Sequence, residues 1–406
     1  FVLNAGSTSV KYTLYDMDRE AIIATGQVER MRTPAASHRC TIGEATTESA
    51  VDAPTASAAI KAILSCLAVP GGPIADASDI KVVGHRVVHG GEKLVRPVVV
   101  TDAVKAVIRE CAQYAPIHNP ANLAGIEAAQ AALPLATHVA VFDTAFHAEL
   151  PEHAYLYGLP YELYLKHGIR RYGFHGPSHA YMAARASEFL QTHPSRLRLI
   201  TCHLGGGASV CAVDGGRSVD TSMGMTPLEG LIMGTRTGDL DPAILDLLRK
   251  KDPAFADPAA MDALLNKQSG LLGLSGKTSD FRELQAAADA GDQRARIAID
   301  AFVYRIRKYI GAYAAAMGGA DAIVFSGGIG ENAARVRHSL CEALAFMGVV
   351  VDADGNDAAK ARQVAGGVVD VSAPRSPTRV LVVATNEELM IARDAVAVVA
   401  GPSAVR

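Results

Sequence analysis

Two stretches about two hundred residues apart follow one pattern, and that repeat constrains the fold more than any other feature. VLNAGSTSVKYTLYD, residues 2–16, runs from alternating apolar residues into a turn of small polar residues and out again through Val10, Tyr12 and Leu14. TCHLGGGASVCAVDGG, residues 201–216, does the same. Ala5-Gly6-Ser7-Thr8-Ser9-Val10 corresponds to Gly205-Gly206-Gly207-Ala208-Ser209-Val210. Each stretch reads as strand, turn, strand. A plain hairpin needs only two turn residues. A turn built of Gly and small hydroxyl residues lets several backbone N–H groups face one anion, because no side chain obstructs the approach. A solvated turn explains either stretch alone; the repeat points to a duplicated fold in which each half offers a phosphate loop.

Composition limits the partners of such a fold. The chain has 406 residues, 49 % of them hydrophobic and 20 % charged, which predicts ordinary globular material in two domains. A formal charge of −3 provides no broad basic field, so neither nucleic acid nor a membrane surface is an expected partner. Any anion must be held by local chemistry. The six cysteines include no CxxC pair, and a chain this long needs no covalent staples, which predicts a reduced, cytoplasmic compartment. No basic segment followed by an apolar run opens the sequence, and no 18 consecutive residues are apolar, so neither secretion nor membrane spanning is expected.

Strand-like runs alternate with helical patterns, as in α/β architecture. Strands are expected at 81–88, 138–142, 197–203, 322–325 and 379–384, and helices at 120–132, 179–192, 242–250, 293–317 and 387–399. Asp241 followed by Pro242 reads as a cap with proline at the first helical position. Residues 33–58 are rich in Ala, Thr, Ser and Pro with weak periodicity, and 251–258 reads as a loop.

A third Gly-rich turn, Gly327-Gly328-Ile329-Gly330-Glu331-Asn332, follows the strand at 322–325 and opens a helix, placing backbone donors where phosphate or ribose fits. Gly328, Gly330 and Ala333 also satisfy a GxGxxA dinucleotide fingerprint with Asp352 about 20 residues on, which keeps a nicotinamide dehydrogenase as a rival reading. That reading leaves the two hairpins and two arginines without roles. Arg86, in GHRVVHGGE, lies in an apolar run where a buried guanidinium demands an anionic partner. Arg236, in MGTRTGDLDP, stands between glycines where its planar fork is able to approach a phosphoryl group. Asp143 ends an apolar run in VFDTAFH, His175 lies between Phe174 and Gly176, and Glu387 opens a helix either as a dipole partner or as a magnesium-shell carboxylate. No HExxH spacing is present to suggest a zinc hydrolase.

With NAGSTSVK, GHRVVHGGE, PIHNPAN, VFDTAFH, YGFHGPSH, HLGGGAS, MTPLEGLIMGTRTGDLDP, SGGIGEN and TNEELMIARD in this order, the chain resembles the acetokinase family of the actin and hexokinase superfamily. The resemblance is weak only at about 31–80 and 350–375. It implies an α/β fold of two duplicated actin-like (ribonuclease H-like) domains, 1–146 completed by the C-terminal helix at about 386–406, and 147–385, with a nucleotide cleft between them and a homodimeric assembly. It implies Asn4 and Glu387 near magnesium or manganese, and Lys11 near the ATP phosphates. Nucleotide contacts fall on His203, Leu204, Gly205, Gly206 and Gly207, on Asp280, Phe281 and Arg282, and on Gly328, Ile329, Gly330, Glu331 and Asn332. Arg86 and His118 belong to the substrate site, and the methyl group of acetate lies among Val88, Ile117, Phe174 and Pro227. His175 and Arg236 stabilise the transferring phosphoryl group, and Asp143 is the family's catalytic acid residue. The family usually has Asn where this chain has Gly206.

The reaction so implied is reversible, magnesium-dependent transfer from ATP to acetate, giving ADP and acetyl phosphate by direct in-line displacement. Positioning and positive charge are the main requirements of such a transfer. A carboxylic acid with a pKa near ~4.3 is already ionised at neutral pH, so Asp143 is expected to order magnesium-bound water or neighbouring basic groups, not to remove a proton. The alternatives are a kinase of propionate or another short carboxylate, an actin-like ATPase module, and the dehydrogenase.

Overall fold

The first hairpin forms as its alternation predicts. β1 (Val2–Ala5) and β2 (Val10–Asp16) pair antiparallel with Asn4 opposite Lys11, and the Gly6 N–H donates to the Ser9 carbonyl at 2.8 Å. In this computed structural model, which describes residues 1–362 and 367–401, six more strands complete the sheet: β3 (Ala21–Glu29), β4 (Ser37–Ile42), β5 (Ala45–Ala50), β6 (Val82–Val87), β7 (Val98–Val99) and β8 (Thr137–Phe142). Their order is β5-β4-β3-β2-β1-β6-β8-β7.

A second sheet repeats the plan. Its strands are β9 (Arg198–Leu204), β10 (Ala208–Asp214), β11 (Arg217–Thr221), β12 (Ala322–Ser326), β13 (Val368–Asp370) and β14 (Arg379–Val383), in the order β11-β10-β9-β12-β14-β13. Matching β9 to β1 makes every neighbour agree: β2–β3 and β10–β11 are antiparallel, β1–β6 and β9–β12 parallel, β6–β8 and β12–β14 parallel, and an antiparallel edge strand closes each series. The duplication expected from the two hairpins is therefore a duplication of topology, and the first sheet adds β4 and β5. The chain divides into two compact units, Phe1–Ala148 with the stretch from Asn386 onward, and Glu149–Thr385.

Central strands are mostly buried because both faces of a parallel sheet are covered. β12 is buried at all five positions. The helix Gln293–Met317 starts where Asp292 accepts from the Ala295 N–H at 2.9 Å, and stops at Gly318, whose φ of +71° ends the helical path. Three details differ from the sequence reading. The helix beginning with GPSH starts at Gly176, three residues early; 251–258 contains a short 3₁₀ turn, Pro253–Phe255; and Asp241 accepts from the Ala243 N–H at 2.9 Å ahead of a helix that runs Ala243–Lys251. Asp352 only precedes the short helix Ala353–Asp357, without a side-chain capping bond, and β12 has β9 and β14 as neighbours, so the residues of the dinucleotide fingerprint do not form a strand, helix, strand unit ending at that aspartate. No helix among the described residues is long and apolar enough to cross a membrane.

Candidate active site

Unit one supplies a charged cluster. Arg86, on β6, donates from Nε to Asp143 Oδ1 and from Nη2 to Asp143 Oδ2, both at 2.8 Å, and its Nη1 lies 3.6 Å from Glu387 Oε2. β6 and β8 run side by side with Arg86 opposite Val141 and Val87 opposite Phe142, which brings Asp143, just past the end of β8, to the guanidinium. Burial by itself disfavours the charged guanidinium, but Asp143 and then Glu387 and Glu388 outweigh it and raise the Arg86 pKa. The Asp143 side chain is only 3 % exposed and spends both oxygens on one fork. That arrangement orients an arginine; it does not present a free base.

Glu387 is the first residue of the helix Glu387–Ala400, which Asn386 caps by accepting from the Leu389 N–H at 3.1 Å. Its neighbour Glu388, which sequence reasoning passed over, lines a cavity of about 220 Å³ together with Asn4 and Lys11. Burial raises the Glu388 pKa, with Glu387 adding to the effect. Val88 lies one residue beyond β6 and is half-buried. Ile117 is 48 % exposed. His118 precedes the helix Asn119–Ala132, and two buried asparagines of that helix hold the surrounding backbone. Asn119 bonds the His89 backbone in both directions at 3.0–3.1 Å; Asn122 accepts from the Val88 N–H at 3.1 Å and donates to the Ala5 carbonyl at 2.8 Å. Asn122, in the first turn of the helix and buried, carries a sequence signal as an asparagine within a helical pattern; Asn119, the helix's first residue, carries none.

Unit two supplies the second set. Gly205, Gly206 and Gly207 connect β9 to β10, and a Cβ placed on Gly207 would lie 3.4 Å from His175 Nε2 and 3.7 Å from Arg236 Nη1. Two basic side chains thus converge on a loop kept open by the missing side chain. His175 precedes the helix Gly176–Phe189 with φ of +58°, a conformation that a residue with a side chain adopts only when its surroundings hold it there. The Ser209 hydroxyl lies 2.8 Å from both His175 Nδ1 and His179 Nε2, and His179 Nδ1 lies 2.8 Å from the Thr201 hydroxyl. The HxxxH spacing of His175 and His179 is the signal for this relay, which sequence reasoning missed. Arg236 donates from Nη1 to the Pro227 carbonyl at 2.9 Å, and among the described residues no carboxylate pairs with it; burial lowers its pKa.

The other expected nucleotide residues are differently engaged. The His203 ring lies 4.3 Å from that of His175, and its Nδ1 is 2.8 Å from the Ser178 hydroxyl. Leu204 is buried, whereas a Cβ on Gly206 would meet nothing within 4 Å. Asp280 and Arg282 pair with each other at 2.7 Å, and Phe281 is buried 5.9 Å from the Phe302 ring. The helix Gly327–Asn332 is self-capped. Glu331 Oε1 accepts from the Gly327 N–H at 3.1 Å, Asn332 donates to the Gly328 carbonyl at 2.7 Å, and Arg337 donates to the carbonyls of Gly330 and Glu331 at 2.8 and 2.9 Å. Ile329 is buried. Phe174 is 1 % exposed and Pro227 is half-buried.

The profile of the Acetokinase family matches residues 1–393. The acetate kinase of Desulfitobacterium hafniense (strain DSM 10664 / DCB-2) is 50 % identical over 396 residues, covering 97 % of each chain. The crystal structure of Porphyromonas gingivalis acetate kinase superposes with a TM-score of 0.92 at 45 % identity, covering 98 % of both chains. A propionate kinase from Francisella tularensis subsp. tularensis SCHU S4 does so with a TM-score of 0.88 at 37 % identity over 97 % of both. The chain belongs to the acetokinase family and is a kinase that phosphorylates a carboxylate.

Proposed function

We propose that this chain transfers the γ-phosphoryl group of ATP directly to acetate, forming acetyl phosphate and ADP reversibly. The observation that carries this reading is the convergence of His175 and Arg236 over Gly207. A buried guanidinium without a carboxylate partner is a site prepared for an anion that arrives later. Transfer through a loose transition state spreads charge over the equatorial phosphoryl oxygens, which preorganised donors stabilise. As a neutral imidazole donating from Nε2, His175 accepts at Nδ1 from the Ser209 hydroxyl, which in turn accepts from His179 Nε2–H, and Thr201 donates to His179 Nδ1. As an imidazolium it donates from both nitrogens and the relay runs the other way, with Ser209 donating to His179 Nε2, His179 Nδ1–H to Thr201, and the Thr201 hydroxyl to the Cys211 carbonyl at 3.5 Å.

The substrate carboxylate is assigned to Arg86. Asp143 takes its Nε and Nη2 edge and leaves Nη1 directed elsewhere, so Asp143 acts as a positioning residue. The nucleophile, ionised at neutral pH, needs no base. Asn4 and Glu387 offer an amide and a carboxylate oxygen, the hard donors that Mg²⁺ accepts beside water and substrate phosphates. When bound, the ion neutralises charge on the phosphates; Lys11, opposite Asn4 across the β1–β2 ladder, adds a further positive charge. The Gly205 N–H donates to the Gly207 carbonyl at 3.1 Å and closes the turn, so the donors it offers to the nucleotide phosphates are the N–H groups of Gly206 and Gly207.

The similarity to a propionate kinase structure supports a second reading in which the acid is longer. A coupled assay across acetate, propionate and butyrate separates the two. One extra methylene in a fitted pocket changes kcat/KM by about 1–3 kcal/mol, so acetate should exceed propionate by roughly 10- to 200-fold, with butyrate poorer still. A preference for propionate would replace acetate as the substrate, and ATP turnover independent of any carboxylic acid would overturn both readings.

A further inference from the structure

We propose that His38, Cys40 and Cys66 form a binding site for one thiophilic divalent cation of the Zn²⁺ type, with the Tyr12 hydroxyl at its fourth corner. Among the described residues these three make the one group of His, Cys, Asp or Glu side chains whose ligand atoms all lie within 4.8 Å of one another. Ligands around tetrahedral zinc stand roughly 3.4–3.8 Å apart, so closing the set requires inward shifts of about an ångström. Two thiolates and an imidazole form a soft set that selects zinc over the hard ion required for phosphoryl transfer.

The backbone prepares this cluster. His38 and Cys40 alternate on β4 and therefore share a face. Cys66 comes from the last turn of the helix Ala56–Leu67, which packs there through Ile60 and Ile63. Tyr12 on β2 lies opposite Gly26 on β3, and Gly26 lies opposite Cys40. A Cβ at Gly26 would fall 2.5 Å from the Tyr12 hydroxyl, so the bare glycine lets the phenol cross the intervening strand. There the hydroxyl meets His38 Nε2 at 3.0 Å and the Cys40 thiol, which in turn touches Cys66. Four polar or soft groups from three separate elements thus meet inside an otherwise apolar core. Cys66 is partly exposed and provides the entry path. An incoming cation displaces the two thiol protons, which are released on binding.

The test uses the untagged full chain, stripped with a chelator and titrated with Co²⁺ and then Zn²⁺ in excess Mg²⁺. Binding predicts one Co²⁺ per chain, with the strong visible bands of tetrahedral cobalt and thiolate charge transfer in the near ultraviolet, both abolished by Zn²⁺. Cys66→Ser should lower the charge-transfer band to about half or less, and Tyr12→Phe should keep it with affinity lower by about tenfold. In the wild type, Zn²⁺ should also protect Cys40 and Cys66 from alkylation, a readout that needs no variant to fold. A weak octahedral spectrum, an unchanged spectrum in the Cys40→Ser, Cys66→Ser double variant, or alkylation of both thiols at the same rate with and without Zn²⁺ would overturn the site.

Discussion

Arg86 and Arg236 are both largely buried guanidinium groups, yet their surroundings are opposite. Arg86 is balanced before any substrate arrives, by a two-pronged bond to Asp143 and by Glu387 at 3.6 Å, and those carboxylates raise its pKa against the effect of burial. Arg236 has a carbonyl and a thioether for company, and burial lowers its pKa. On the proposed function, the difference separates two jobs. A balanced arginine would present a fixed edge and hold a substrate carboxylate equally well before and during reaction. An unbalanced one gains most when negative charge reaches it, which suits a phosphoryl group in flight.

Asp143→Ala should break that contrast with the largest effect. It leaves Arg86 without its two-pronged partner, with Glu387 at 3.6 Å and Glu388 as the remaining carboxylates, and removing one partner of a buried ion pair destabilises by about 3–5 kcal/mol. Urea unfolding of the variant should show this loss in the transition of its unit, together with a raised acetate KM. A loss under about 1 kcal/mol would mean that the pair does not anchor Arg86.

Gly207→Ala comes next. Its methyl group would stand 3.4 Å from His175 Nε2, in the space where the two basic groups converge. The expected result is a fall in kcat of about ten- to a hundredfold, or ~1.4–2.8 kcal/mol, with acetate KM little changed. Steady-state rates that match the wild type would show that the transferring group lies elsewhere. The smallest effect belongs to Gly206→Asn, which introduces the residue that the sequence resemblance leads one to expect there. Open space surrounds this position, so the ATP KM should move by less than about tenfold, or ~1.4 kcal/mol. A larger change would give the side chain a role that the account reserves for backbone amides.

Local pattern carried the duplicated hairpins into the sequence because each is written in adjacent residues: alternation, small turn residues, alternation. β4 and β5 left little trace. All six residues of β5 are exposed, so no buried face imposes a period of two, and its Thr, Ser and Glu residues read as loop. The ion pair of Arg86 and Asp143 joins residues 57 apart, and Glu387 approaches from the other end of the chain. The sequence marks Arg86 as needing an anion but does not say which. Nor does MGTRTGDLDP disclose that Arg236 pairs with no carboxylate among the described residues, since that depends on what the folded loop excludes. The relay of Ser209, His179 and Thr201 was hidden for a similar reason: it depends on β9 and β10 standing side by side beneath the helix Gly176–Phe189.

The most direct measurement compares Arg86→Ala with Arg236→Ala in initial-rate assays at saturating ATP with acetate varied. Separate roles predict that Arg86→Ala raises the acetate KM by at least about tenfold, because a charge-assisted pair made in ground and transition states alike is lost. They predict that Arg236→Ala lowers kcat by about a hundredfold, or ~3 kcal/mol, while the acetate KM stays within about threefold. Equal effects of the two substitutions on both constants would contradict the division of labour between the balanced and the unbalanced arginine.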